Sequence, residues 1–257
     1  MSSLTGKTAL VTGASRGIGR ASALALASAG AQVLVHYARG KQEADAVVAD
    51  IRKAGGRAGA VSADLAASDG AHKLARQVRI IVGDRLDILV ANAGVANAAT
   101  IENTTVEDFD RLFAVNVRAP FFLVQQLLPI MCKGSSTVLV SSLAAHAAVG
   151  TLAAEAATKG AIDTLVKHFA AVLGPRGIRI NAVAPGAVET DMSDFAKTDA
   201  SYDSALGIQA LKRLAQPDDI GRAVAFLASE DARWITGARF GATLDPISDR
   251  QSINSGV

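Results

Sequence analysis

The sequence predicts an α/β fold: a doubly wound parallel sheet in a three-layer α/β/α sandwich, forming a single domain over residues 1–257. Two observations predict it. Short β-rich runs alternate with helical runs along the chain, as right-handed β-α-β crossovers require. The composition is 50% hydrophobic but only 4% aromatic, with 23 glycines, and such small apolar residues suit a buried sheet under closely packed helices. This apolar content also excludes a disordered chain.

The elements follow in order. Thr8–Val11 is a short aliphatic run ending at a glycine-rich turn, hence a strand. Gly17–Ala29 is rich in alanine and leucine and stops at Gly30, hence a helix. The β-branched run Ala31–His36 is the second strand. The periodic run Lys41–Ala54 is the second helix, closed by Gly55-Gly56. Ala58–Ser62 and Asp87–Ala91 are strands flanking a helix at Ser68–Val82. A long helix spans Val106–Met131. Strand Ser136–Ser141, helix Ala153–Leu173 and strand Ile178–Ala184 follow. Pro217–Ala228 opens with proline in a favourable first-turn position. Asp191–Leu214 is polar and irregular, a candidate substrate lid.

Charge narrows the function classes. With 26 Lys and Arg against 24 Asp and Glu, the net charge is +2, and no nucleic-acid partner is expected. No apolar stretch reaches the ~20 residues needed to cross a bilayer, so no membrane association is expected. Met1–Lys7 is short and polar, unlike a signal peptide. The single cysteine, Cys132, excludes an internal disulfide and fits a reducing, cytoplasmic location. Closing an apolar helix, it reads as a packing residue. His36, His72, His146 and His168 lack ligand spacing, so no metal site is expected.

The turn after the first strand reads Thr12-Gly13-Ala14-Ser15-Arg16-Gly17-Ile18-Gly19 and leads into a helix. Glycines there let the backbone approach a pyrophosphate, and the helix N-terminus offers N–H groups to it. This is the setting of a Rossmann-type dinucleotide site. The second strand ends Val35-His36-Tyr37-Ala38-Arg39, without the carboxylate that binds a ribose 2′-hydroxyl. Arg39 and Arg16 suit a 2′-phosphate instead, so the expected cofactor is NADP(H).

The spacing Gly13-x-x-x-Gly17-x-Gly19 resembles the classical short-chain dehydrogenase/reductase family, particularly its ketoacyl-carrier-protein reductase-like and carbonyl reductase-like members. The resemblance runs through Gly237. Asn92-Ala93-Gly94 is similar to the family's sheet-stabilising motif. Asp64, with Leu65, matches its adenine contact. Asn116 matches its helix asparagine, and Ser142 its serine. Pro185, Gly186, Val188 and Thr190 match the stretch holding the nicotinamide amide. The resemblance implies an NADP(H)-dependent oxidoreductase interconverting a small-molecule ketone and a secondary alcohol, in a homotetramer or homodimer. It implies that Ser142 polarises the carbonyl, Asn116 holds a relay water, and Lys159 binds the nicotinamide ribose and tunes a proton donor. Leu143, Val149, Thr151, Val188, Met192 and Phe195 are expected to line the pocket.

Two departures qualify the resemblance. The family's proton donor is a tyrosine thirteen residues after the serine and four before the lysine. Ser142 and Lys159 fix that register from both sides, and the residue there is Glu155. A carboxyl is far more acidic than a phenol, and Lys159 favours its anion while burial opposes it. The expectation is an impaired reductase; the alternatives are a base for alcohol oxidation, a catalytically weak or inactive NADP(H)-binding protein, or a plain i,i+4 ion pair. The second departure is the tail, residues 238–257, which lacks the family's ending. Codons allowed for Ala238–Ile247 can, in a neighbouring frame, spell Thr-Ile-Arg-Arg-Asp-Ala-Gly-Ser-Asn, closer to that ending. A frameshift origin is therefore the expectation, with Ala238–Leu244 still able to form a last strand.

Overall fold

In the computed structural model, residues 2–191, 199–207 and 209–242 are described. Seven parallel strands form one sheet: β1 (Thr8–Val11), β2 (Gln32–Tyr37), β3 (Arg57–Ser62), β4 (Ile88–Ala91), β5 (Ser136–Val140), β6 (Arg179–Pro185) and β7 (Arg239–Ala242). Their order is β3-β2-β1-β4-β5-β6-β7. The order reverses between β1 and β4, and a crevice at such a reversal is where doubly wound sheets bind ligands.

The strands separate two apolar layers, because successive side chains point to opposite faces. Ala9 and Val11 face one layer, where α1 (Gly17–Ser28), α2 (Lys41–Lys53) and α8 (Pro217–Ala228) pack through Leu26, Val47, Ile51 and Val224. Leu10 faces the other, where α3 (Gly70–Val82), α5 (Ala119–Leu127) and α6 (Ala153–Leu173) bring Leu74, Leu123 and Ile162. Gly221 lets α8 approach α1, since a Cβ there would lie 2.7 Å from the Ala21 backbone.

Several expectations need correction. The run expected as one helix is divided: α4 (Val106–Phe113) passes through a π turn at Ala114–Arg118 into α5 and a 3₁₀ turn at Leu128–Ile130. Pro120 has no N–H to return to the Asn116 carbonyl, so regular helix cannot run through that point. The run Val106–Ile130 is 25 residues long and, by length and composition only, apolar enough to cross a membrane. Charges at Glu107, Asp108, Asp110, Arg111 and Arg118 hide this in the sequence. Its inward side, including Leu123, Val124 and Leu127, lies in the sheet-facing core.

Cys132 is exposed, not packed, because the helical run ends before it. The expected irregular lid contains a helix, α7 (Asp199–Gly207); residues 192–198 and 208 lie outside the described residues. In the tail, β7 pairs in parallel with β6, matching Ala182 to Arg239 and Pro185 to Ala242. Residues 243–257 lie outside the described residues.

Candidate active site

The glycine loop leaves β1 at the sheet reversal and is built from close backbone contacts. Gly13 has φ +62° and Gly17 φ +52°, both left-handed. A Cβ on Gly13 would lie 2.9 Å from Ala93 Cα, and one on Gly19 would lie 2.2 Å from the Gly13 carbonyl oxygen. Asn92 Nδ2 donates to the carbonyls of Thr12 (2.9 Å) and Gly13 (3.2 Å). The backbone N–H groups of Asn92 and Ala93 donate to Thr12 Oγ1 at 3.0 and 2.9 Å. Asn92 and Ala93 therefore pin the loop from β4.

The loop opens into α1 with Arg16 at the N-cap. No side chain caps this end, and its first turn holds no acidic residue. Uncapped N–H groups at the positive dipole end suit an anion. Ile18 is half-buried and packs on the core layer behind it. Arg16 and Arg39 are exposed and join no ion pair among the described residues. Ser15 Oγ lies 3.4 Å from where a Cβ on Gly40 would sit, so the loop meets the turn that carries Arg39. Asp64 is exposed and its Oδ1 accepts from the Ala66 N–H at 2.9 Å, while Leu65 is buried. These features fit a pyrophosphate with a phosphorylated ribose beside it.

Across the crevice, Pro185 ends β6 and Gly186 follows. Val188 is buried and bridges to Ala215. The Thr190 methyl lies 3.5 Å from where a Gly17 Cβ would sit, which brings this segment over the glycine loop.

Two of the expected catalytic residues, Asn116 and Lys159, meet at Gly94. Lys159 is buried, with Nζ donating to the Val140 carbonyl at 3.1 Å. Gly94 lies between it and Asn116: a Cβ on Gly94 would sit 3.3 Å from Asn116 Oδ1 and 3.7 Å from Lys159 Nζ. Asn116, on the π turn, clasps Val95 through both its amide atoms, Oδ1 accepting at 2.9 Å and Nδ2 donating at 3.0 Å. Nδ2 also donates to Thr158 Oγ1, whose hydroxyl donates to the Glu155 carbonyl at 2.6 Å. The Asn116 side chain is thus occupied by protein. Its main-chain carbonyl loses its α-helical partner at Pro120.

Ser142 Oγ accepts from the Ala144 N–H at 3.1 Å, which leaves its O–H proton available. Glu155 is half-buried in the first turn of α6, one turn before Lys159. Burial raises the Glu155 pKa, and the Lys159 charge opposes this. Burial lowers the Lys159 pKa, opposed by Glu155 and then Asp163. Burial thus favours the neutral form of each partner, while their attraction favours the ion pair. At Glu155 the effect of burial is the larger, so its carboxyl holds a proton to a higher pH than an exposed one.

Sequence reasoning missed what lies behind Lys159. Asp163 is buried, with Oδ2 2.6 Å from His146 Nε2 and 3.8 Å from Arg239 Nε. It joins α6 to the loop after Ser142 and to β7. Its signal was the i,i+4,i+8 series Glu155, Lys159, Asp163 on one helix face. Of the expected pocket residues, Leu143 is buried, Val149 half-buried and Thr151 exposed; Met192 and Phe195 lie outside the described residues.

Comparison with known proteins places the chain in a family. Residues 13–242 match the family model described as Enoyl-(Acyl carrier protein) reductase. An uncharacterized oxidoreductase of Methylorubrum extorquens is 45% identical over 240 residues, covering 92% of this chain and 96% of the relative. Trihydroxynaphthalene reductase of Colletotrichum orbiculare is 38% identical over 251 residues, covering 93% and 89%. The angucycline C-6 ketoreductase LanV, solved with bound NADP, superposes with a TM-score of 0.88 at 44% identity, covering 93% of this chain and 95% of that one. LanV has also been solved with NADP and rabelomycin. The chain belongs to the classical short-chain dehydrogenase/reductase family of oxidoreductases.

Proposed function

We propose that this protein is a cytoplasmic, NADP(H)-dependent oxidoreductase that interconverts a ketone and a secondary alcohol, and that Glu155 impairs it as a reductase. The carrying observation is the gathering of Gly94, Asn116 and Lys159 within a few ångströms, beside a glycine loop with an uncapped helix end. The NADP held by LanV and the keto-reduction it performs support the cofactor and the reaction. Trihydroxynaphthalene and rabelomycin in the relatives' names point to fused-ring aromatic ketones as the substrate class.

Bound NADPH supplies the hydride. The chain's own residues do the rest. Gly13, Gly17 and Gly19 admit the pyrophosphate, Arg39 and Arg16 bind the 2′-phosphate, and Asp64 and Leu65 flank the adenine. Pro185, Gly186, Val188 and Thr190 orient the nicotinamide amide. Ser142 donates a hydrogen bond to the substrate carbonyl. Lys159 binds the nicotinamide ribose, and Asn116 holds a water that resupplies protons. Glu155 stands where the alcohol oxygen must gain its proton. Its carboxyl donates only while protonated; as an anion it repels the developing alkoxide and serves instead as a base for alcohol oxidation.

The Glu155 substitution also favours a second reading, an NADP(H)-binding protein with little or no catalysis. Incubation with C4-deuterated NADPH and a panel of fused-ring ketones tests the two. Deuterium on the carbinol carbon of the product establishes the oxidoreductase. NADPH binding with no labelled product on any ketone establishes the second reading.

A further inference from the structure

His36 is the last residue but one of β2 and is 1% exposed, so it cannot touch a substrate from solvent. It nevertheless makes three hydrogen bonds to segments of the dinucleotide site. Its Nδ1 lies 3.1 Å from the Gly13 backbone nitrogen. Its own carbonyl accepts from the Ala14 N–H at 2.8 Å. Its Nε2 lies 3.1 Å from the Ala63 carbonyl, one residue before Asp64. One side chain thereby joins the glycine loop, the end of β2 and the segment after β3.

The partners fix the tautomer. A carbonyl can only accept, so Nε2 carries the proton; a backbone N–H can only donate, so Nδ1 is the bare acceptor. A second ring proton would set Nδ1–H against the Gly13 N–H. The ring's acidity agrees: burial holds the His36 pKa down to about 4, and the Ala63 carbonyl opposes this only in part. The titratable residues on the segments that meet it, Arg16, Tyr37, Arg39 and Asp64, contribute nothing to that shift.

Gly13 has a left-handed backbone; Asn92 holds the carbonyl side of its peptide from β4, and His36 Nδ1 holds the N–H side. With Gly13 and Ala14 both anchored on residue 36, the later N–H groups of the loop and of α1 remain to face an anion. We propose that His36 is a positioning residue of the dinucleotide site: its Nε2-protonated imidazole holds Gly13 through Nδ1 and so sets the glycine loop against the Ala63–Leu65 segment and the Arg39 turn. The assignment rests on the reading of the glycine loop as the NADP(H) cradle.

Two measurements test it. In the parent protein, long-range ¹H–¹⁵N correlation reads the tautomer of His36 directly. The expected pattern is neutral and Nε2-protonated at pH 7; an Nδ1-protonated or cationic ring overturns the proposal, whatever any variant does. The second measurement is NADPH affinity, by fluorescence, at a temperature where every variant is folded. His36→Asn keeps an acceptor near the Nδ1 position, His36→Gln keeps only a donor near Nε2, and His36→Phe keeps neither. The expected result is that His36→Asn binds NADPH like the parent, while His36→Gln and His36→Phe bind roughly three- to tenfold more weakly, as loss of one hydrogen bond implies. A purely structural role would lower the melting temperatures and leave affinity unchanged, and equal affinities overturn the proposal. Equal weakening in His36→Asn and His36→Gln also overturns it and leaves the cradle standing. A parent protein that binds no NADPH at pH 7 overturns the cradle, and the proposal with it.

Discussion

At the scale of single residues, the proposed chemistry turns on Glu155 and Lys159. Burial raises the Glu155 pKa and lowers that of Lys159, each opposed by the other's charge. The sign for reduction follows. In the proposed mechanism the proton donor is the neutral Glu155 carboxyl, whose fraction grows as pH falls, so NADPH-dependent ketone reduction should rise on acidification. Oxidation of the alcohol with NADP⁺ uses the anion and should rise with pH. Initial rates in both directions between pH 5 and 9 check this, and reduction that climbs with pH would contradict it. Arg39 is the second decisive residue. Arg39→Ala should weaken NADPH about 10- to 100-fold, as loss of charge-assisted hydrogen bonds implies, and leave NADH nearly unchanged. Paired titrations with the two nucleotides measure it. The identity of Glu155 was legible by counting from Ser142 and Lys159, because helix register is rigid. Its raised pKa was not, since burial depends on what the fold places around the first turn of α6. Cys132 failed for the same reason: exposure belongs to where the helical run stops.

At the scale of elements, the glycine loop works through backbone proximity. A Cβ on Gly19 would fall 2.2 Å from the Gly13 carbonyl oxygen, and 2.5 Å from Asn92 Nδ2. Gly19→Ala must therefore push the loop off β4. It should lower the melting temperature, since overpacking a close contact typically costs about 1–3 kcal/mol, and should weaken NADPH by more than about tenfold. Calorimetry and cofactor titration check both, and a stable variant with unchanged affinity would contradict the packing account. Most elements were legible because their apolar periods and glycine stops agree with their environment; α6 and α8 match their expected limits. The break between α4 and α5 was signalled by Pro120 alone. Helix α7 escaped because its short sequence, Asp199–Gly207, has little amphipathic pattern. His36 was visible only as a strand-end residue, because its partners at positions 13 and 63 meet it through the sheet order.

At the scale of the whole molecule, large apolar groups remain uncovered. Trp234 is 96% exposed and Ile101 82%, while Phe109 and Phe121 stand on the α4–α5 run. We propose that the homodimer or homotetramer expected from the family resemblance covers Phe109 and Phe121. Light scattering should return a dimer or tetramer mass, and Phe121→Glu a smaller one; a monomeric parent protein would contradict this. The family match ends at Ala242, inside the atypical tail, and β7 still completes the sheet. Residues 239–242 can do so because strand pairing uses the backbone. The coding DNA read in its neighbouring frame decides the tail's origin.

The most direct test of the central claim is NADPH consumption with activated ketones, comparing the protein with its Glu155→Tyr variant. The variant should gain about 10²- to 10⁴-fold in kcat/KM, the size of a restored general acid, with NADPH affinity unchanged. Equal activity in the two proteins would contradict the role given to Glu155. A variant that binds NADPH yet stays inert would contradict the claim that the rest of the site is competent.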